Sequence, residues 1–313
     1  MSNFTVESLD ATLVGESAAL FTSCLWSVGS ILFTSAGRRI GSFNVNAYRI
    51  ALAVGLLAGA HAVILGTVLP AATSGQWFWM GLSGIIGLGI GDCGLFAAYV
   101  TLGPKHTTLI MALSPVFASI GAYAMLGEIL PPLSIVGMAI TLAGITTALM
   151  GRRGTSENGL ATRRQTLWGL FFALVGATGQ GVGIVLSKKG MYLNASVLMN
   201  PVSAALIRVI FGTLFLWTLA AFSGKLPNLQ KAAKDRQGMK FAAAGAVVGP
   251  FAGMTLSMVA VAYTETGIAQ TLMSLMPVII IPLVWIFYRE KTSIRGLIGA
   301  AMAVIGVAIL FLI

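Results

Sequence analysis

Ten apolar runs, each about as long as a bilayer is thick, fill most of this chain and leave only short polar stretches between them. A spanning helix needs about 20 predominantly apolar residues. Runs that meet this fall at roughly 17–36, 43–66, 76–99, 105–126, 132–150, 167–187, 201–222, 241–262, 267–287 and 294–312. Apolar residues make up 57% of the 313 and charged residues only 9%, against about a quarter charged in soluble domains. One globular core cannot hide so much apolar surface, so lipid must solvate it. The expectation is an all-α integral membrane protein with ten transmembrane helices, set in an inner or plasma membrane.

The 19 Lys and Arg against 9 Asp and Glu would suit nucleic acid if they formed one face. Instead the basic residues sit in short loops between apolar runs. That is the membrane pattern, and no nucleic-acid partner is expected. Cys24 and Cys93 fall inside apolar runs without a C-x-x-C, and His61 and His106 stand far apart. Neither a disulfide framework nor a metal site is expected. No G-x-x-x-x-G-K-[ST] occurs, so no nucleotide and no other cofactor is expected, and any coupling is to a gradient or to exchange. Glu7, Asp10 and Glu16 precede the first run, where a cleaved signal peptide would carry Lys or Arg.

The longest polar interruption, "GRRGTSENGLATRRQT" (151–166), divides the chain. It sets a tail (1–16) and a first five-helix unit (17–150) before a basic linker (151–166), with a second five-helix unit (167–313) after it. The two units match. A shift of 162 lays Pro115 on Pro277, Glu128 on Glu290, Gly137 on Gly299 and Gly144 on Gly306. Earlier in each unit a shift of 150 lays Gly29 on Gly179 and Arg38-Arg39 on Lys188-Lys189, and a nine-residue insertion then brings Arg49 onto Arg208. A unit with an odd number of spans inserts its second copy upside down. The expectation is two inverted five-helix repeats, with a site between them near mid-membrane.

Loop charges give an orientation. Of the 19 basic residues, fifteen follow odd-numbered runs, only Lys188 and Lys189 follow an even one, and Arg49 and Arg208 lie inside runs. The positive side faces the cytoplasm, so both termini are expected outside it.

"ALFTSCLWSVGSILF" in the first run resembles the Trp-containing first span of the EamA-like branch of the drug/metabolite transporter superfamily. Arg49, "SPVFASIGAYAMLGE" (114–128) and "MPVIIIPLVWIFYRE" (276–290), each of the last two followed by a glycine-containing span, resemble it too. The resemblance covers nearly the whole chain, on short motifs. It implies ten spans in two inverted repeats and transport of small metabolites such as amino acids. Ser27 stands where a glycine usually follows the Trp, and many members keep their termini in the cytoplasm.

"GIIGLGIGDCG" (84–94) also fits two other patterns, a dinucleotide-binding G-x-G-x-x-G and the G-x-G-D of intramembrane aspartyl proteases. The first needs a strand before it and free N–H groups, whereas this stretch lies within one unbroken apolar run. The second needs two carboxylates sharing a proton, and the only other aspartates, Asp10 and Asp235, lie outside the runs. No catalytic residue is expected. As a helix, at about 100° per residue, the stretch puts Gly84, Gly87, Gly91, Gly94 and Ala98 on one close-packing stripe. Asp92 then stands about 125° from that stripe, on the face of Tyr99.

A carboxylate in lipid is costly, so Asp92 should face protein or water. At about 1.5 Å per residue, Arg49 lies at the same depth as Asp92, near the cytoplasmic face. Arg208 lies level with Gln180 toward the other face, with Glu265, Gln270 and Thr271 close by. Two polar clusters are expected, one on each side. Trp26 alone among the tryptophans sits mid-span, where it can stack on a substrate or pack in the core. Glu128 and Glu290 stand just before the fifth and tenth runs, where a carboxylate complements a helix dipole. His61 is expected to be buried and hydrogen-bonded.

The substrate-binding residues expected are thus Trp26, Arg49, Asp92, Tyr99, Gln180 and Arg208. The reading is a monomeric secondary transporter, exporter or exchanger, of a small zwitterionic or amphiphilic metabolite, with membrane lipid around it. A carrier-lipid or lipid-headgroup flippase is the alternative within transport. An intramembrane enzyme is the alternative outside it.

Overall fold

The computed structural model describes residues 6–102, 107, 110–151, 163–193, 198–276, 278–279 and 293–311. No strand occurs among them. Helices α1 (Val6–Ile40) and α2 (Ser42–Leu65) come first, and α3 (Ser74–Ser83) then runs through a π-helical stretch (Gly84–Gly91) into α4 (Asp92–Leu102). Next come α5 (Ser114–Leu126), α6 (Pro132–Gly151), α7 (Arg163–Met191) and α8 (Pro201–Phe222). A short α9 (Leu226–Ala233) leads to α10 (Arg236–Ala246), a second π stretch (Val247–Gly253) and α11 (Met254–Tyr263). The order closes with α12 (Thr266–Met273) and α13 (Ile294–Phe311).

Eight helices among the described residues are long and apolar enough to cross a membrane. They coincide with the expected runs except the fourth and ninth, which hold α5 and α12. Those two helices have 13 and 8 residues, too few to cross alone. Their neighbours 103–106, 108–109, 277 and 280–292 lie outside the described residues, as do Pro277, Trp285 and Glu290.

Helix ends follow local chemistry. Thr73 opens α3 with a capping box, its hydroxyl accepting from the Gln76 N–H at 3.3 Å while Gln76 accepts from the Thr73 N–H at 3.0 Å. Asn200 caps α8 ahead of Pro201, accepting from the Val202 N–H at 2.9 Å. Several helices outrun the apolar stretches that foretell them. The part of the 1–16 segment that is described is already helix from Val6, and α7 starts at Arg163, inside the expected linker. Hydropathy measures only what lipid tolerates, whereas a helix continues into the headgroup layer for as long as its polar side chains find water or partners.

The two matching units also repeat in geometry. Helix α5 follows a break at Ala112-Leu113, and α12 ends in one at Ser274-Leu275. Three hydrogen bonds recur there at the 162-residue shift. Leu113 N donates to Ile110 O (3.0 Å) as Leu275 N does to Leu272 O (3.2 Å). Val116 N donates to Leu113 O as Val278 N does to Leu275 O, and Phe117 N to Leu113 O as Ile279 N to Leu275 O. The first helix of each unit packs on the third span of the other: α1 against α10, the second π stretch and α11, and α7 against α3, the first π stretch and α4.

Helices α6 and α13 pack closely against each other, and their glycines set the direction. A Cβ on Gly137 would come within 3.1 Å of Gly306 O, and one on Gly144 within 2.7 Å of Gly299 O. Rising numbers meet falling ones, so the two helices run antiparallel. Each glycine also meets the shift-mate of the other, the pattern of a two-fold relation. Here small residues let backbones touch, and in lipid such packing is what holds helices together. Gly144→Leu should therefore lower stability by about 1–3 kcal/mol, since backbone rather than a flexible side chain blocks it. Thermal unfolding in detergent would read this; an unchanged midpoint would show that the contact is loose.

Candidate functional site

The glycine stripe of residues 84–94 is a contact face. A Cβ on Gly94 would lie 2.7 Å from Phe172 O, one on Gly179 would lie 2.7 Å from the Gly91 Cα, and one on Gly183 2.9 Å from the Gly87 Cα. So α7 lies backbone to backbone along this face, and the Gly84 Cα faces the backbone of Arg208 on α8. The stretch is wound as a π-helix, and the Asp92 N–H reaches the carbonyl of Gly87, five residues back. Such stretches are rare and favour functional sites. A five-residue turn advances less per residue than the 100° assumed for an α-helix, yet Gly91 and Gly94, on either side of Asp92, both still face α7.

Asp92 and Gln180, expected in separate clusters, meet in one. The Asp92 carboxylate, 5% exposed, pairs with the Arg49 guanidinium (Nη2 to Oδ2) and accepts from Gln180 Nε2 at 2.8 Å. Gln180 stands next to Gly179 on α7, where the close backbone approach brings it within reach. Arg49 is held in place by Asn46, whose Oδ1 accepts from its Nε at 2.9 Å. The Phe33 and Phe96 rings also lie against its guanidinium carbon, at 5.2 and 5.6 Å.

Arg208, on α8, lies against the same π stretch at Gly84 and Gly87. It is 2% exposed, its Nη2 lies 3.0 Å from where a Gly87 Cβ would stand, and its charge acts on Asp92. Nη1 has the Met258 sulfur at 3.9 Å, and Nε has no hydrogen-bond partner among the described residues. A guanidinium offers five N–H donors in a fixed fork, so this one has capacity to spare.

The other expected residues are placed as follows. Trp26 is half-buried, its indole against Gly253 at the end of the second π stretch. Tyr99 lies on α4, and its side chain is outside the described residues. Gln270 does not join Arg208; it donates to Ser114 Oγ at 3.0 Å. His61 is buried, with Ser203 Oγ at 2.9 Å from Nε2 and the Thr67 carbonyl at Nδ1. Glu128 does more than face a helix dipole. It accepts from Lys188 Nζ (2.8 Å) and from the Thr266 N–H (2.8 Å) and hydroxyl (3.0 Å), so it ties the ends of α5, α7 and α12 together. Sequence reasoning missed Glu16, placed in a polar tail. It is 3% exposed on α1 and its charge acts on that of Glu265. Its only sequence signal was a carboxylate one residue short of the apolar run.

Among the described residues the charged groups around Asp92 are two arginines and not the second carboxylate that an aspartyl protease needs. What the described residues define is a helical integral membrane protein with a charged centre buried between two similar halves. The EamA-like transporter family matches residues 13–150 and again 167–312. The chain belongs to that family: it is a membrane transporter of small molecules, not an enzyme. A solved crystal structure, described only as "Crystal structure of protein", superposes with a TM-score of 0.70 at 21% identity, over 97% of this chain and 96% of that one. At that identity it speaks for the fold alone. No curated protein matches.

Breaking a buried ion pair strands a charge and costs about 3–5 kcal/mol, whereas replacing both partners by apolar groups of similar size is often neutral. Arg49→Met and Asp92→Leu should each lower the yield and melting temperature of detergent-extracted protein. The double variant should regain most of the loss, and strictly additive losses would mean that the two do not act as a pair.

Proposed function

We propose that this protein is a secondary transporter, an exporter or exchanger, of a small zwitterionic metabolite such as an amino acid. In this reading ten spans form two inverted five-helix repeats that expose one central site alternately to each side. The chain works as a monomer, with both termini outside the cytoplasm. The observation that carries the substrate class is Arg208, a buried guanidinium whose Nε has no partner among the described residues, beside the Arg49–Asp92–Gln180 cluster. A carboxylate fits the fork of Arg208, and an ammonium group fits Asp92. Both signs within one centre suit a ligand that carries both.

Trp26 and Tyr99 are proposed to contact the same ligand. The packing of α6 on α13 and the crossed contacts of α1 and α7 support the inverted arrangement. Fifteen basic residues on one side support the orientation.

Counterflow of radiolabelled amino acids into liposomes containing only this protein tests the reading. Saturable exchange is expected. Arg208→Lys keeps the charge but loses the fork, and loss of charge-assisted hydrogen bonds worth about 1.5–3 kcal/mol should raise KM roughly 10- to 100-fold. The double variant Arg49→Met/Asp92→Leu should fold but not exchange. Exchange with an unchanged KM in folded Arg208→Lys would remove Arg208 from the site. No exchange of any zwitterion by folded wild-type protein would remove the substrate class.

A further inference from the structure

Outside the central site, a basic cavity of ≈ 510 Å³ lies between the α1–α2 turn and α9. Arg39 and Asn44 line it on one side, and Lys225, Asn228 and Lys231 on the other, with Asp235 at its edge. The sole carboxylate of this lining is already engaged. Asp235 Oδ1 accepts from the Gly238 and Gln237 N–H groups at 2.9 and 3.1 Å, and the carboxylate pairs with Arg39 Nε at 3.1 Å. The Gly238 N–H first, then Arg39 and the Gln237 N–H, hold its carboxyl below the usual range. Two lysines therefore face the cavity without a carboxylate opposite them. The Lys225 ammonium lies over the Phe43 ring at 4.5 Å, which positions the charge, and the ring takes up no more than one side of its three N–H donors.

The cavity is built rather than incidental. Helix α9 is amphipathic: Leu229 and Ala232 are buried against the bundle while its polar face is exposed. The Tyr48 hydroxyl donates to Leu229 O at 2.9 Å and pins the helix to α2. Just before it the lipid-type surface ends. Phe222 at the close of α8 is 89% exposed and Leu226 37%. So within a few residues the outer surface passes from bare aromatic to two lysines, as it must where acyl chains give way to headgroups. Arg236 and Lys240, just beyond α9 in the chain, are exposed as well.

We infer that this cavity binds the phosphate headgroup of an anionic membrane lipid, with Lys225 and Lys231 on the phosphate, Asn44 and Asn228 as further hydrogen-bond partners, and the acyl chains along Phe222 and Leu226. The juxtaposition of an apolar outer surface with a basic cavity is what selects a lipid over a soluble anion. The site stands apart from the transport centre, so its failure would leave the transport reading intact. Each basic residue at an anionic surface contributes about fivefold to attraction, a screened and mostly additive effect. Removing two should weaken retention of lipid roughly 30-fold.

The test uses the full-length protein in nanodiscs of phosphatidylcholine with a minor share of phosphatidylglycerol, extracted and examined by native mass spectrometry for retained lipid. One retained phosphatidylglycerol per chain is expected, lost in Lys225→Gln/Lys231→Gln and kept in Arg164→Gln, an exposed basic residue elsewhere. The single variant Lys231→Gln should show an intermediate loss, which keeps the test sound if the double variant folds poorly. Equal loss in Arg164→Gln would mean diffuse attraction and overturn the site. Displacement of the lipid by millimolar inorganic phosphate would assign the cavity to a soluble anion. Retention of phosphatidylcholine as readily as phosphatidylglycerol would overturn it as well.

Discussion

A carboxylate deep inside a membrane bundle survives only where donors surround it, and Asp92 gets its donors because backbones touch. Without the glycines at 87, 91, 179 and 183, α7 would stand off by a side-chain width and Gln180 would not reach the carboxylate at 2.8 Å. The same approach sets Arg208 over Gly87. Two guanidiniums and one carboxylate therefore share a small volume. Inserting a single such charge costs about 2.5–3.5 kcal/mol even by lenient measures. The small-residue seam is thus both the packing solution and the means by which the charged centre exists.

Ion pairs tie helices together at the ends of the molecule as well. At one end Glu128 joins Lys188 to the start of α12, and Lys188 also donates to Thr264 O at 2.6 Å. At the other, Arg39 pairs with Asp235 at the head of α10. Arg38-Arg39 and Lys188-Lys189 are shift-mates in the sequence, and one member of each basic pair makes an ion pair at its end, Arg39 with Asp235 and Lys188 with Glu128.

Much of this was legible in the sequence because lipid imposes a length rule that hydropathy can read. Eight spans follow from it, and the 162-residue register was carried by Pro, Glu and Gly positions whose roles are local. The Arg49–Asp92 pair followed from depth alone. The winding was not legible: nothing in "GIIGLGIG" announces a π-helix. In the second stretch Pro250 lacks an N–H and so disturbs the ladder, a cue that was readable. Gln180 was placed with Arg208 by depth, yet its contact with Asp92 depends on how closely α7 approaches. Helix α9 was missed because an eight-residue amphipathic helix carries no apolar run.

The central claim is that the second half is the first turned over. Leu133, near the start of α6, and Arg295, near the start of α13, are shift-mates, and both are exposed. With Cys24 and Cys93 replaced by serine, a membrane-impermeant thiol reagent would be applied to intact cells bearing Leu133→Cys or Arg295→Cys. The account predicts labelling of Leu133→Cys from outside, and of Arg295→Cys only after the membrane is opened. Labelling of both from the same side would contradict it.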